Sequence, residues 1–348
     1  MSDHLLTLNA GSSSIKFALF ARDDLAVPVF AGQVDGIGVG AGSQTHDDAI
    51  ADVLRQFGAR QERIVAVGHR IVHGGAGLVQ PMRIDDALVA QMSELIPLAP
   101  LHQPHNVAGV RAARHVFAGI PQVACFDTAF HAAQPELNRR FALPQALFDA
   151  GVRRYGFHGL SYESILAQLV ATDPVPARGR VVIAHLGNGA SMCAMFEGRS
   201  IATTMSFSPL DGLPMGTRCG RLDAAVVLHL IQQQGRSADE VSRLLFRESG
   251  LLGLSGVSSD MRELEASTEA NAAMAVDYFV EHVLRELAGM VAALRGIDTL
   301  VFTGGIGENA AHLRERIIEG AAWMGPVDVK VLRTNEETVI ARHTAALT

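Results

Sequence analysis

Apolar and polar positions fall into short runs whose period changes along the chain. Leu5 to Leu8 is a brief apolar run, Asn9 to Ser14 is polar and turn-forming, and Ile15 to Phe20 resumes with strand-compatible residues. That order predicts a β-hairpin around a Gly/Ser loop. It returns half a chain later as Val181 to Leu186, a loop from Gly187 to Ser191, Met192 to Phe196, the Glu197-Gly198 turn and a further strand from Ser200 to Thr204. A gapless alignment of the two stretches sets Gly11 on Gly187, Ala18 on Ala194 and Phe20 on Phe196, so the chain reads as two related halves. Between Asn271 and Leu294, Val276, Val280, Val283, Leu284, Leu287, Val291 and Leu294 recur at spacings of three and four, which predicts a long amphipathic helix ending near Gly296. Ile297 to Phe302 then reads as a buried strand, Thr303 to Gly307 as a tight glycine turn, and Glu308 as the start of another helix. Strand, glycine turn and helix N-terminus in that order suit an anion or a nucleotide.

Composition narrows the class. A chain of 348 residues exceeds one compact core and implies two domains, with a boundary expected near Ala132 to Pro135. Apolar residues make up 48% and charged residues 19%, enough to fill a large interior. Asp and Glu total 36 against 29 Lys and Arg, and the net charge of −7 is spread evenly, which argues against a nucleic-acid or anionic-membrane surface. Cys125, Cys193 and Cys219 lie far apart without CxxC spacing and read as buried thiols rather than disulfides or zinc ligands. No segment has the apolar length of a secretory h-region or a membrane span, so a cytoplasmic protein is expected.

Several segments carry polar groups that chemistry could use. Asn9 to Lys16 offers backbone N–H groups beside Gly11, the hydroxyls of Ser12 and Ser14, and the Lys16 ammonium. It lacks the Gly-Lys-Ser/Thr ending of a Walker A loop and leads into a strand, so it is either a phosphate-facing hairpin or an ordinary turn. His185 to Gly189 is a second loop of the same kind. Gly68-His-Arg-Ile-Val-His-Gly-Gly75 follows the apolar run Ile64 to Val67 and sets Arg70 near a strand end among glycines that would admit a ligand. Met215-Gly-Thr-Arg-Cys-Gly220 gives Arg218 an equally glycine-flanked setting. Two such arginines suit an anionic substrate and a transferring phosphoryl group. Asp127 follows the Val123 to Phe126 strand, where a carboxylate either binds a cation or donor or caps a helix. His158 lies between Phe157 and Gly159, and His102 in a proline-stiffened loop; each reads equally as a packed histidine. No histidine pair has zinc-site spacing and no GxSxG elbow is present.

Taken together, the ordered blocks NAGSSSIK, GHRIVHGG, PLAPLHQPHN, FDTAFH, YGFHG, HLGNG with PMGTRCG, and GGIGEN with TNEE resemble the acetate kinase family, within the superfamily of acetate and sugar kinases, Hsp70 and actin. The resemblance runs from Asn9 to about Arg342. It implies an α/β, two-domain actin-like (ribonuclease H-like) fold with a duplicated βββαβαβα core. The first domain would comprise residues 1–131 with 338–348, and the nucleotide-binding domain residues 132–337. It also implies reversible phosphoryl transfer between ATP and acetate, with Mg²⁺ or Mn²⁺ as cofactor and a homodimeric assembly. By the same resemblance Asn9 and Glu336 would bind the metal and Lys16 would contact ATP. His185, Leu186, Gly187, Asn188, Gly189, Asp260, Met261, Arg262, Gly305, Ile306, Gly307, Glu308 and Asn309 would line the nucleotide site. Arg70 would hold the substrate carboxylate, and Val72, Leu101, Phe157 and Pro209 would surround its methyl group. Asp127, His158 and Arg218 would be catalytic, Asp127 as base or as organiser of metal and arginine. The family pattern is departed from in three places: residues 309–336 are shorter than in most members, the region before Arg70 is trimmed, and Phe-His-Gly-Leu-Ser-Tyr162 stands where many have FHGTSH. Alternatives left open are a propionate or butyrate kinase and a nucleotide-binding regulator of the same fold without catalysis.

Overall fold

The computed structural model describes residues 3–11, 14–35, 37, 45–57 and 63–348, so Ser12 lies outside the described residues. Contacts divide the chain into two units, Met1–Ala132 with His158–Ser164 and Asn335–Thr348, and Ala133–Phe157 with Ile165–Thr334. Residues 158–164 and 335–337, expected in the second domain, therefore pack within the first.

In the first unit β1 (His4–Ala10) pairs antiparallel with β2 (Ser14–Ala21), which pairs antiparallel with β3 (Phe30–Asp35). On the other side of β1, β4 (Ile64–Ile71) runs parallel. The short β5 (Met82–Arg83) pairs antiparallel with β6 (Gln122–Phe126), and β6 runs parallel to β4, giving the order β3-β2-β1-β4-β6-β5. Strand period 2 sorts the side chains of β2: Phe17 and Leu19 join a core with Phe57 and Phe117, while Ala18 and Phe20 face Ala341. Phe17 meets Phe57 edge-on at 5.4 Å and Phe30 meets it at 5.6 Å, an arrangement the ring quadrupoles favour. The C-terminal helix Glu336–Leu347 lies against β4, β1 and β6, where Val339 and Ile340 pack with Val123, Cys125 and Leu160. The second unit contains β7 (Arg180–His185), β8 (Ser191–Phe196), β9 (Arg199–Thr203), β10 (Thr299–Thr303) and β11 (Asp328–Val331) in the order β11-β10-β7-β8-β9. The helix Ala270–Leu294 packs on β8, β9 and β7 and buries Val276, Phe279, Val283 and Leu287.

Both sheets share one plan: a three-strand antiparallel meander whose first strand adds parallel partners on its free side. That repetition is the duplicated core expected of the actin-like fold. The two hairpins nevertheless differ in register. Asn9 faces Lys16 with six residues between them, whereas His185 faces Ser191 with five, so no gapless alignment holds through both strands. Two further expectations are corrected. The glycine segment after β10 is helix Gly304–Asn309, followed by helix Ala311–Gly320, so helix begins four residues before Glu308. Cys125 and Cys193 are buried, but Cys219 is half-buried. Burial pushes the Cys193 and Cys219 thiols up to about 12 and about 11, so none of the three is a ready nucleophile.

Candidate active site

Three parallel strands of the first unit end together, and their carboxyl ends carry the polar residues, as expected where open α/β sheets bind ligands. Asn9 is the penultimate residue of β1, Arg70 the penultimate residue of β4, and Asp127 follows β6 directly. The Arg70 Nη2 donates to Asp127 Oδ2 at 2.6 Å, and its Nε donates to both carboxylate oxygens at 3.1 and 3.2 Å. Its Nη1 reaches Asn9 Oδ1 at 3.4 Å, and Glu336 Oε2 stands 3.6 Å from Nε. The Asp127 side chain is 1% exposed and that of Arg70 is 20% exposed, so the arginine is the partner that reaches solvent. Burial disfavours the Arg70 cation, but Asp127, Glu336 and Glu337 outweigh it and hold the guanidinium charged beyond its ordinary range. Asp127 is thus the arginine's anchor and not a helix cap; the short helical turn after it starts from Thr128.

Backbone contacts fix these side chains in place. Asp127 N donates to Ile71 O at 2.9 Å and Asp127 O accepts from Gly159 N at 3.0 Å. A Cβ on Gly159 would lie 2.1 Å from that carbonyl, so only glycine allows the approach. His158, immediately before it, takes a left-handed φ of 58°. A Cβ on Gly68 would lie 2.2 Å from Thr344 Oγ1 and 2.6 Å from Ile340 Cγ2. Gly68 therefore admits the C-terminal helix, not a ligand as its sequence setting suggested, and that helix presents Glu336 beside Arg70. Asn335 caps the helix by accepting from Thr338 N at 3.0 Å. Lys16 is exposed directly opposite Asn9 across the hairpin, hence on the same face of the sheet, and Ser14 is half-buried at the start of β2. Val72 is buried and Leu101 half-buried in this unit.

In the second unit a cavity of about 900 Å³ is lined by Gly187, Asn188, Asp260, Met261, Arg262, Gly305, Ile306 and Asn309, all expected from the sequence. Ser259, Glu265, Ala310 and His312 complete the lining. Ser259 and Ala310 adjoin expected segments, whereas Glu265 and His312, whose side chains meet, carried no sequence signal. A volume of this size suits a nucleotide. Asp260 caps the helix Met261–Ala266 and pairs with Arg262, whose hydrogen bond holds the carboxyl down at about 2. Three other expected nucleotide residues do structural work. Leu186 O accepts from Ile306 N at 2.8 Å and Gly307 N at 3.0 Å, and Glu308 Oε1 accepts from Gly304 N at 3.0 Å. These bonds consume N–H groups of the first turn of helix Gly304–Asn309, whose start forms a wall of the cavity. His185 and Gly189 flank the loop without lining the cavity. Asn188 O accepts from Gly216 N at 3.2 Å, which ties that loop to the Arg218 segment. Arg218 Nη1 donates to Pro209 O at 3.1 Å, bringing one catalytic candidate onto one pocket-wall candidate, and Phe157 is fully buried.

The metal expectation rests on oxygen donors. Asn9 Oδ1 and Glu336 Oε2 stand beside the Arg70 guanidinium, at Nη1 and Nε, and amide and carboxylate oxygens are donors that suit a hard cation which keeps waters and phosphate oxygens as its other ligands. Among the described residues no group of three or more His, Cys, Asp or Glu forms a self-sufficient metal cage.

Comparison with known proteins agrees across the whole length. A model of the acetokinase family matches residues 4–348. An acetate kinase of Methylocella silvestris is 48% identical over 398 aligned positions, covering 100% of this chain and 98% of its own, so about fifty of those positions lack a counterpart here. Among solved structures, a propionate kinase from Francisella tularensis superposes with a TM-score of 0.94 at 34% identity, covering 99% of this chain and 100% of its own. The acetate kinase of Porphyromonas gingivalis gives 0.91 at 33%, with the same coverage. Matched from its first strand to its last helix, and carrying an arginine held by a buried carboxylate where three parallel strands end, the chain belongs to the acetokinase family.

Proposed function

We propose that the chain catalyses reversible transfer of the γ-phosphoryl group of ATP to acetate, giving acetyl phosphate and ADP, and that it works in the cytoplasm. The Arg70–Asp127 pair at the strand ends carries this reading. Acetate is already ionised at neutral pH, so no strong base is required; the obstacle is bringing two anions together. Asp127 occupies the Nε and Nη2 side of the guanidinium and fixes its plane, which leaves Nη1, on the Asn9 side, to receive a carboxylate. Asp127 accordingly acts as an organiser of Arg70, not as a proton acceptor. Val72, Leu101, Phe157 and Pro209 supply apolar walls for the methyl group. ATP occupies the cavity between Asp260–Arg262 and Gly305–Asn309, and Lys16 and Ser14 serve its phosphates. Arg218 and His158 stabilise the charge on the phosphoryl group in flight. Mg²⁺, held by Asn9 and Glu336, would neutralise phosphate oxygens when bound.

The test is Mg²⁺- and ATP-dependent acyl phosphate formation, trapped with hydroxylamine, across formate, acetate, propionate and butyrate. Preference for acetate supports the reading. The high structural likeness to a propionate kinase favours propionate as the second candidate, and one methylene is worth only about 1 to 3 kcal/mol of discrimination. ATP bound without turnover on any acid would overturn catalysis and leave a nucleotide-binding regulator. We also infer a homodimer: helix Ala224–Gln232 buries none of its residues and exposes Val226, Leu228 and Ile231, a surface that a second copy would cover.

A further inference from the structure

The ladder between β1 and β4 ends at the pair Leu8–His69, yet Asn9 and Arg70 lie beyond it. Something other than strand pairing must set their spacing. The side chain of Asn106, on the first turn of helix Gln103–Val116 and 3% exposed, lies between the two strand ends. Its Nδ2 donates to Ala10 O at 2.7 Å and its Oδ1 accepts from Val72 N at 2.9 Å. One side-chain amide thus stands where a peptide group of a neighbouring strand would, giving one donor to β1 and one acceptor to the chain leaving β4. Gln103, one turn earlier and fully buried, makes the matching contacts one residue further on: His73 N donates to its Oε1 at 3.2 Å, and its Nε2 donates to His73 O at 3.0 Å. The strands can therefore diverge into a crevice without leaving these backbone groups unpaired, a cost that would otherwise oppose the opening.

We infer that Asn106 is a positioning residue for phosphoryl transfer, holding the end of β1, with Asn9, at a fixed distance from the end of β4, with Arg70 and the pocket wall Val72. It touches neither substrate nor metal; it acts through the backbone of Ala10 and Val72. The inference rests on the proposed reaction for its kinetic test and on the fold alone for its second readout.

Asn106→Ala removes both bonds, and Asn106→Asp keeps the acceptor for Val72 N while losing the donor to Ala10 O; if the alanine variant does not fold, the isosteric one carries the test. The expected result is a fall of about tenfold or more in kcat/KM for the acid, on the scale of one buried amide pair left unmade, with KM for ATP unchanged. Combined with Asn9→Ala, the effect of the Asn106 substitution should shrink, because both act on the same contact. Equal rises in both KM values, or full additivity with Asn9→Ala, would reduce Asn106 to a general stabiliser and overturn the inference. Amide hydrogen exchange of the peptide containing Val72 is read in parallel and needs no turnover. If the wild type turns over no acid, the proposed reaction fails, whereas unchanged exchange at Val72 in Asn106→Ala fails the inference itself.

Discussion

At the scale of single residues, the pairing of Arg70 with Asp127 makes substitutions unequal in a predictable way. Arg70→Ala leaves the Asp127 carboxylate buried without its cation and should cost about 3 to 5 kcal/mol in urea unfolding. Arg70→Lys keeps the charge but not the fork that meets Asp127 and a carboxylate together. It should keep most stability yet lower kcat/KM for the acid by about 10²-fold with KM for ATP unaffected; near-normal kinetics in that variant would remove the fork from the mechanism. Arg218→Ala should retain ATP affinity and lose about 10³-fold in kcat, the effect of deleting a phosphoryl-stabilising arginine. Sequence reasoning could reach these residues because charged side chains beside glycines after apolar runs are uncommon. It could not tell which oxygen each would face: Asp127 as cap, base or anchor differ only by where Arg70 Nη2 points.

Secondary-structure elements explain the glycines that sequence reading assigned to ligand approach. Gly68 is the contact point of the C-terminal helix on β4, so Gly68→Val should push Ile340 and Thr344 away and displace Glu336. That variant is expected to unfold at lower urea and to need more Mg²⁺ for half-maximal rate. A change in stability without a change in Mg²⁺ dependence would separate helix packing from the site. The amphipathic period of Ala270–Leu294 and the apolar strands were legible because burial imposes them on the sequence itself. The helical start at Gly304 was not: Gly304 N bonds to the Glu308 carboxylate, while Ile306 N and Gly307 N bond to the Leu186 carbonyl, 120 and 121 residues earlier in the chain. Register was equally hidden, since the one-residue difference between the two hairpins lies in their loops and not in the apolar pattern.

On the scale of the whole molecule, two buried histidines predict a loss of stability in acid. Burial depresses the His69 and His73 imidazoles to about 4, with Gln122 only partly offsetting this at His69. Unfolded histidine takes up its proton near pH 6.5 while the folded groups remain neutral, so the stability they contribute is full above that pH and is lost as pH falls toward 4, by about 3 kcal/mol each. Urea unfolding at pH 7, 5.5 and 4.5 should show that decline, and a His69→Gln variant should show a shallower one; an unchanged slope would assign the acid limit to other groups. Assembly is checked separately, by light scattering: Leu228→Glu with Ile231→Glu should convert a dimer to a monomer if helix Ala224–Gln232 is covered by a second copy. The sequence by itself determined the alternation of strands and helices, the duplicated plan and the family, because hydrophobic period and short polar motifs are local properties that the chain carries wherever it goes. Only the tertiary structure decided what the motifs do to one another. Arg70 meets Asp127 where β4 pairs with β6, Asn106 bridges the ends of β1 and β4 beyond their ladder, and the glycine turn becomes a cavity wall, because hydrogen-bond partners far apart in sequence are chosen by packing.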